Sequence, residues 1–260
     1  MAGDVFYTSR GAGQTVLCLH GLWSSSSGFG GVDISSDLFR LCAWDAPGFG
    51  RSQDPPDNAD LDWFAGQAAS LIESAGEAPA HVIGSGWGGL VAMQVAISHP
   101  HLVKCLVLSG VNLGLARDQH VADALREKVS RFVDNPSDFA AKEAAKLVSA
   151  KAPESTVTAV RQLLAHDVRP AGCSAAMETV VDSFLATQLK TLRIPTIVIW
   201  GDHDQISTLE ASQAVAEPIA DSVVITCAGA GHLSHVDRPD SFSLWLDTFL
   251  RIVDNIRELA

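Results

Sequence analysis

The sequence predicts an α/β protein: a doubly wound, mostly parallel sheet with helices on both faces and an all-helical cap inserted across it. Three patterns carry this expectation. Short continuous apolar runs alternate with helix-spaced runs over residues 1–111, the signature of buried parallel strands joined by helices. Strand-like runs vanish over residues 112–192, where helical periodicity takes over. The alternation resumes over residues 193–260. The expected organisation is a core domain of 1–111 plus 193–260 and a helical cap of 112–192.

The elements follow in order. Residues 5–8 suit a short edge strand, with Gly11 and Gly13 in its turn. Thr15, Val16, Leu17, Cys18 and Leu19 form an apolar run, read as a strand buried on both faces, that ends in His20-Gly21-Leu22-Trp23. A second strand over 38–44 ends in Asp45-Ala46-Pro47-Gly48-Phe49-Gly50-Arg51-Ser52, with Pro and Gly at turn positions. Leu61, Phe64, Ala68, Leu71, Ile72 and Ala75 recur at helical spacing over 60–75. A strand through Val82 and Ile83 runs into Gly84-Ser85-Gly86-Trp87-Gly88-Gly89 and then an Ala-rich helix reaching Ser98. Residues 102–109 form another buried strand, ending at Gly110. Functional residues of such a sheet gather at the carboxyl ends of its strands. His20, Asp45, Gly86 and Ser109 all fall there.

Within 112–192, Val121, Leu125, Val129 and Phe132 form one stripe, and Val157, Val160 and Leu164 form part of another. Pro136, Pro153 and Pro170 act as breakers or first-turn residues. About four helices are expected, roofing a small-molecule pocket. Beyond them come a strand over 195–200, the turn Gly201-Asp202-His203-Asp204, a helix over 209–216, a last strand over 222–226, and Ala228-Gly229-Ala230-Gly231-His232. A closing amphipathic helix from residue 239 places Leu244, Phe249, Ile252 and Ile256 on its apolar side.

Composition narrows the partners. A hydrophobic content of 47% and a charged content of 18% over 260 residues suit a large globular core. A net charge of −12 argues against nucleic acid and anionic membrane. The expected partner is a small-molecule substrate under the cap, and the oligomeric state stays open. The five cysteines are scattered, and Cys18, Cys42 and Cys105 fall in apolar runs, as buried thiols of a reducing compartment do. With no basic-apolar leader and no run of membrane-spanning length, a cytoplasmic location is expected. No Cys or His spacing resembles a metal site, and no metal or cofactor is expected.

Strand, sharp turn and helix around residue 86 describe a nucleophile elbow. The pattern Gly-x-nucleophile-x-Gly is met by Gly84 and Gly88, which puts Gly86 at the nucleophile position. With Ser85 in that position, Ile83 would stand where only a small side chain fits and Trp87 where glycine is expected. Elbow residues sit at positive φ, a conformation that strains a residue with a Cβ by about 1–3 kcal/mol and that glycine adopts freely. Gly84-x-Gly86-x-x-Gly89 also matches a dinucleotide-binding pattern, but it lies far from the N-terminal βαβ unit, and the flanking motifs point elsewhere.

Four motifs occur in order: His20-Gly21, then Asp45-x-Pro47-Gly48-x-Gly50-x-Ser52, then the elbow, then Gly201-x-x-Asp204 followed by Gly229-x-Gly231-His232. With these the chain resembles the α/β-hydrolase superfamily over essentially its whole length, most closely its capped esterases, lactonases and carbon–carbon bond hydrolases. The segment from Gly172 to Ala176 leading to Ile194-Pro195-Thr196 is similar to enol-lactone hydrolases.

The resemblance implies the α/β-hydrolase fold, His232 as catalytic base and Asp204 as the acid that orients it, with Asp202 the competing carboxylate. It implies an oxyanion hole from the backbone N–H groups of Leu22 and Trp87. Trp23, Trp87 and Phe49 are candidates for pocket walls or core aromatics. His20, Asp45 and Arg51 are expected to brace loops, and His235 to face the cap or solvent. The implied activity is hydrolysis of a small ester or lactone by a Ser-His-Asp-type route, here with Gly86 where the nucleophile belongs.

Three accounts stay open. The chain is a disarmed serine hydrolase; or His232 acts as general base without a covalent step, as in a lyase, carbon–carbon bond cleavage or cofactor-free oxygenation; or the fold is a non-catalytic receptor for a small ligand. Ser85 in a distorted elbow is a further route. An aspartate ancestor of epoxide-hydrolase type is disfavoured, since Tyr7 is the only tyrosine and no cap pair exists to open an epoxide.

Overall fold

The computed structural model describes residues 5–75 and 78–255. Seven strands form one sheet in the order β1-β3-β2-β4-β5-β6-β7. They are β1 (Tyr7–Gly11), β2 (Gln14–Leu19), β3 (Phe39–Trp44), β4 (Ala80–Ser85), β5 (Val103–Ser109), β6 (Thr196–Gly201) and β7 (Ser222–Cys227). Every neighbouring pair is parallel except β1 with β3. β1 lies later than the 5–8 expected and is exposed throughout. Its place is fixed by backbone pairing with β3, so it carries no apolar run to read.

The helices are α1 (Leu61–Ala75), α2 (Trp87–Ser98), α3 (Gln119–Asp134), α4 (Pro136–Glu143), α5 (Glu154–Gln162), α6 (Pro170–Asp182), α7 (Ala186–Leu189), α8 (Leu209–Ala216), α9 (Ser234–Asp237) and α10 (Pro239–Val253). Strand residues alternate between two cores, as a pleat with period two requires. Leu17, Leu19, Val82, Leu106 and Leu108 pack with Phe64 and Ile72 of α1 and Leu90 and Val91 of α2. Val16, Cys18, Ile83, Val107 and Ile199 pack on the other face with Phe242, Leu246 and Leu250 of α10.

That last set corrects the reading of the closing helix. Its buried face is Phe242, Leu246 and Leu250 at four-residue spacing, while Leu244 is 69% and Ile252 67% exposed. Phe249 is partly buried against the core, and Ile256 lies outside the described residues. The helix is apolar on more than one side, so periodicity alone did not select the face that meets the sheet.

Between β5 and β6 the chain is helical, with α3 to α7, a 3-10 turn over Ala144–Leu147 and a π-helical turn over Leu163–Asp167. The fifth helix, beyond the four expected, is the single turn α7. Asp118 and Asn135 cap α3 and α4 by accepting from Val121 N and Asp138 N at 3.1 Å each. Pro136 and Pro170 stand in the first turns of α4 and α6, where a missing N–H costs nothing. All five cysteines are buried free thiols. Among the described residues no helix is long and apolar enough to cross a membrane.

Candidate active site

The elbow sits at the carboxyl end of β4, in the middle of the sheet. Gly86 adopts φ 53 and ψ −120, the left-handed conformation that glycine tolerates. Its N–H donates to Ser109 O at 2.8 Å, and its carbonyl accepts from Gly89 N at 3.0 Å. A Cβ on Gly84 would lie 2.5 Å from Gly88 O, and one on Gly88 would strike the Leu19 carbonyl, so strand and helix meet this closely only without side chains. Ser85 is buried, its hydroxyl has no partner, and no hydrogen bond joins it to His232.

A Cβ built on Gly86 would lie 3.5 Å from His232 Nε2 and 3.7 Å from Gly21 Cα, with nothing nearer. His232 Nδ1–H donates to Asp204 Oδ2 at 3.0 Å, which leaves Nε2 facing the elbow. The other oxygen of Asp204 accepts from Ile206 N at 2.7 Å and Ser207 N at 3.0 Å. Burial pushes this carboxyl up, but the charge and hydrogen bond of His232 and the two backbone donors outweigh it and hold it below the usual range. Asp202 does a different job, accepting from Gly229 N at 2.6 Å.

Two groups that the sequence reading passed over hold the imidazole. Gly110, at φ 60, lies against the ring; a Cβ there would be 3.0 Å from Cε1 and Nδ1. Asp237 Oδ2 accepts from Gly231 N at 2.8 Å and Ser149 N at 2.6 Å, tying the His232 loop to the cap. Gly110 ends a strand and Asp237 precedes an Arg-Pro pair, positions where glycine and aspartate are unremarkable in a sequence.

The elbow opens into a cavity of about 140 Å³. Gly86, His232, Leu22 and Trp23 stand on the sheet side, and Leu115, Val121, Leu125 and Val180 on the cap side. No Asp, Glu, Lys or Arg lines it. Leu22 and Trp87 line the same space, and among the described residues neither backbone N–H is found donating to another protein group. The Trp87 side chain is mainly core. It packs between Phe49, Phe64 and Trp44, and its Nε1 donates to Thr179 Oγ1 of α6 at 2.8 Å. Trp23 both lines the cavity and packs on Phe132 and Phe139, whereas Phe49 is fully buried and lies off the cavity.

His20 braces its loop. Its Nδ1–H donates to Gly21 O at 2.9 Å, its Nε2 accepts from Ala46 N at 3.0 Å, and burial pushes its pKa down to about 4. Asp45 accepts from Ser26 N, Arg51 N and the Arg51 side chain. Of the two settings expected for His235, solvent is excluded: the ring is fully buried and stacked on Phe29 at 4.7 Å, beside a second cleft whose other wall is Gln162, His166 and Asp167 of the helical segment. One turn of α9 carries it from the His232 loop back toward the α10 side of the sheet.

A His–Asp pair at the sheet edge, set against a glycine-held turn with two backbone donors beside it, defines a site of the α/β-hydrolase type. Residues 14–239 match the family model for the alpha/beta hydrolase fold, and the chain belongs to that family. It is similar to the pimeloyl-(acyl-carrier protein) methyl ester esterase of Chromobacterium violaceum, 27% identical over 92% of this chain and 95% of that protein. A 2-hydroxy-6-oxononadienedioate/2-hydroxy-6-oxononatrienedioate hydrolase from a Pseudomonas species is 24% identical over 95% of this chain and 92% of its own. Among solved structures, the malate-bound thermophilic esterase from Thermogutta terrifontis superposes with a TM-score of 0.87 at 24% identity, over 96% of this chain and 93% of that one. The chain is of the hydrolase type, with esterases and carbon–carbon bond hydrolases among its relatives.

Proposed function

We propose that the chain takes a small, uncharged ester or lactone under the cap and that its site is a serine-hydrolase site disarmed at Gly86. One observation carries this reading: a Cβ at residue 86 meets His232 Nε2 at 3.5 Å, the contact a nucleophile-bearing side chain would use, with Asp204 in place behind the imidazole. The substrate carbonyl would accept from Leu22 N–H and Trp87 N–H, donors that survive loss of the nucleophile. The uncharged lining argues against dicarboxylate substrates, whose second charge would be desolvated without a partner. At about 140 Å³ the cavity also favours short chains, since sites for drug-sized ligands run to ~300–1,000 Å³.

The test compares the native chain with Gly86→Ser on chromogenic short-chain esters and lactones. The expected result is turnover by the variant and none by the native chain. A second reading rests on His232 Nε2, which faces the cavity without a protein partner and is free to draw a proton from water attacking the carbonyl directly. Native turnover that His232→Ala abolishes and Ser85→Ala leaves intact would select that route.

A further inference from the structure

The cavity at the elbow holds few polar side chains, and most of their donors are engaged. Ser207 Oγ donates to Gly110 O at 3.0 Å and Trp87 Nε1 to Thr179 Oγ1 at 2.8 Å. The hydroxyl of Ser85 is sealed inside the fold. Asn112 differs: it lines the cavity and is only half-buried. Its Oδ1 accepts from Gly114 N at 2.8 Å. Only the oxygen can take that bond, so the other branch of the amide is the nitrogen, with two N–H donors. Among the described residues Nδ2 has no protein partner, and it is not closed off from solvent.

The place of Asn112 follows from its neighbours. Gly110 lies against the His232 ring, and Val111 packs on Gly89 in the first turn of α2. Leu113 O then accepts from Leu185 N, and Leu115 N donates to Val180 O, both in the helical segment. Asn112 thus stands where the wall beside the imidazole passes into the roof. A turn here needs only an oxygen for Gly114 N–H, which aspartate or serine also supplies. Asparagine adds the N–H pair. In a space walled mainly by Leu, Val, Ile and Trp, an unpaired donor is answered by an acceptor on the ligand. An anion does not suit it, because no Lys or Arg lines the cavity to neutralise one. The other unspent side-chain donor is the indole N–H of Trp23, whose ring packs on Phe132 and Phe139.

Resting on the reading of the elbow as a hydrolase site for a small uncharged ester, we propose that Asn112 selects esters whose acyl chain carries a second, uncharged carbonyl. Its Nδ2–H donates to that oxygen while the scissile carbonyl meets the Leu22 and Trp87 N–H groups. The native chain, labelled with 15N, is titrated by NMR with methyl 3-oxobutanoate and methyl 4-oxopentanoate, each against its parent, methyl butanoate or methyl pentanoate. Asn112→Asp keeps an oxygen for Gly114 N–H and removes both donors, and its binding is followed at Gly86 and Gly110. The expected result is a saturable shift of the Asn112 side-chain signals by an oxo ester, bound about tenfold more tightly than its parent, and no such preference in Asn112→Asp.

Equal affinity of each oxo ester and its parent, or absence of a saturable shift at Asn112, overturns the proposal. So does a preference that folded Asn112→Asp keeps and Trp23→Phe loses, which assigns the donor to the indole. Should Asn112→Asp fail to fold, the native signals decide: an oxo ester that moves the Asn112 side chain no further than its parent does overturns the proposal. Turnover by Gly86→Ser separates this proposal from the reading of the elbow. Hydrolysis with an oxo-to-parent ratio of kcat/KM that Asn112→Asp leaves unchanged keeps the elbow and sinks the role of Asn112. No hydrolysis of the four esters, with the binding preference of the native chain intact, sinks the elbow and upholds Asn112.

Discussion

Replacing Gly86 with serine sets two opposed terms that the structure lets us weigh. A side chain at φ 53 costs about 1–3 kcal/mol of backbone strain. The Cβ itself clashes with nothing, since its nearest neighbour is His232 Nε2 at 3.5 Å. The hydroxyl beyond it can donate to that nitrogen, which returns about 0.5–1.5 kcal/mol. The net loss is about 1 kcal/mol, or a fall in Tm of about 2–4 °C for a chain of this size.

In exchange the variant regains a covalent route, and removal of a triad nucleophile in a well-organised site is worth up to about 10⁶ in kcat. The assay is intact-mass detection after a fluorophosphonate probe, run beside chromogenic ester turnover and thermal melting. One adduct should appear on Gly86→Ser, and none on the native chain or on Gly86→Ser combined with His232→Ala. A variant that melts as the native chain does and takes no label would refute the placement of the elbow at residue 86. One that melts lower but stays unlabelled would refute the placement of His232 as its base.

Other outcomes follow from the same geometry. In the Gly86→Ser background, Asp204→Asn should lower kcat by about 10⁴ with little change in KM, because the imidazole loses the partner that sets its tautomer. Thr179→Val leaves the buried Trp87 Nε1 unpaired and should cost about 1–3 kcal/mol, read as a lower Tm. The buried imidazoles make stability depend on acid. His235 and His20 titrate near 3 and 4 when folded against an ordinary 6.5, so between those values the unfolded chain binds more protons. Stability should therefore fall as pH drops below about 6.5, and His235→Phe should show a shallower fall in Tm from pH 6.5 to 4 than the native chain. An unchanged slope would show that His235 is protonated in the fold.

The parallel strands and the elbow were legible because their signals are local. A strand buried on both faces must be continuously apolar, and a turn that packs its backbone against a helix must be glycine, as Gly84 and Gly88 show. The His232–Asp204 pairing was legible through motif order, though its geometry depends on Gly110 and Asp237, whose contacts are tertiary. Helical stripes were less informative. Val121 and Leu125 continue the stripe of Val129 and Phe132, yet the first two line the cavity while the latter two enter the core. Apolar spacing says that a face is covered, not whether protein or ligand covers it. The same ambiguity misplaced Leu244 and Ile252 on α10, and it hid His235, whose burial arises from Phe29 and Phe242, over two hundred positions apart in the chain.

The few exposed apolar side chains include Val121 and Ile206, each 43% exposed, and both also line the cavity beside the elbow. They mark its doorway, one jamb on the cap and the other on the loop after β6. The Ile206 jamb is not a free hinge, since its own N–H is bonded to the Asp204 carboxylate that steadies His232. Turning the Ile206 side chain would leave that bond in place, whereas displacing its backbone would break it, so the entrance and the His232–Asp204 pair are joined mechanically through a single N–H.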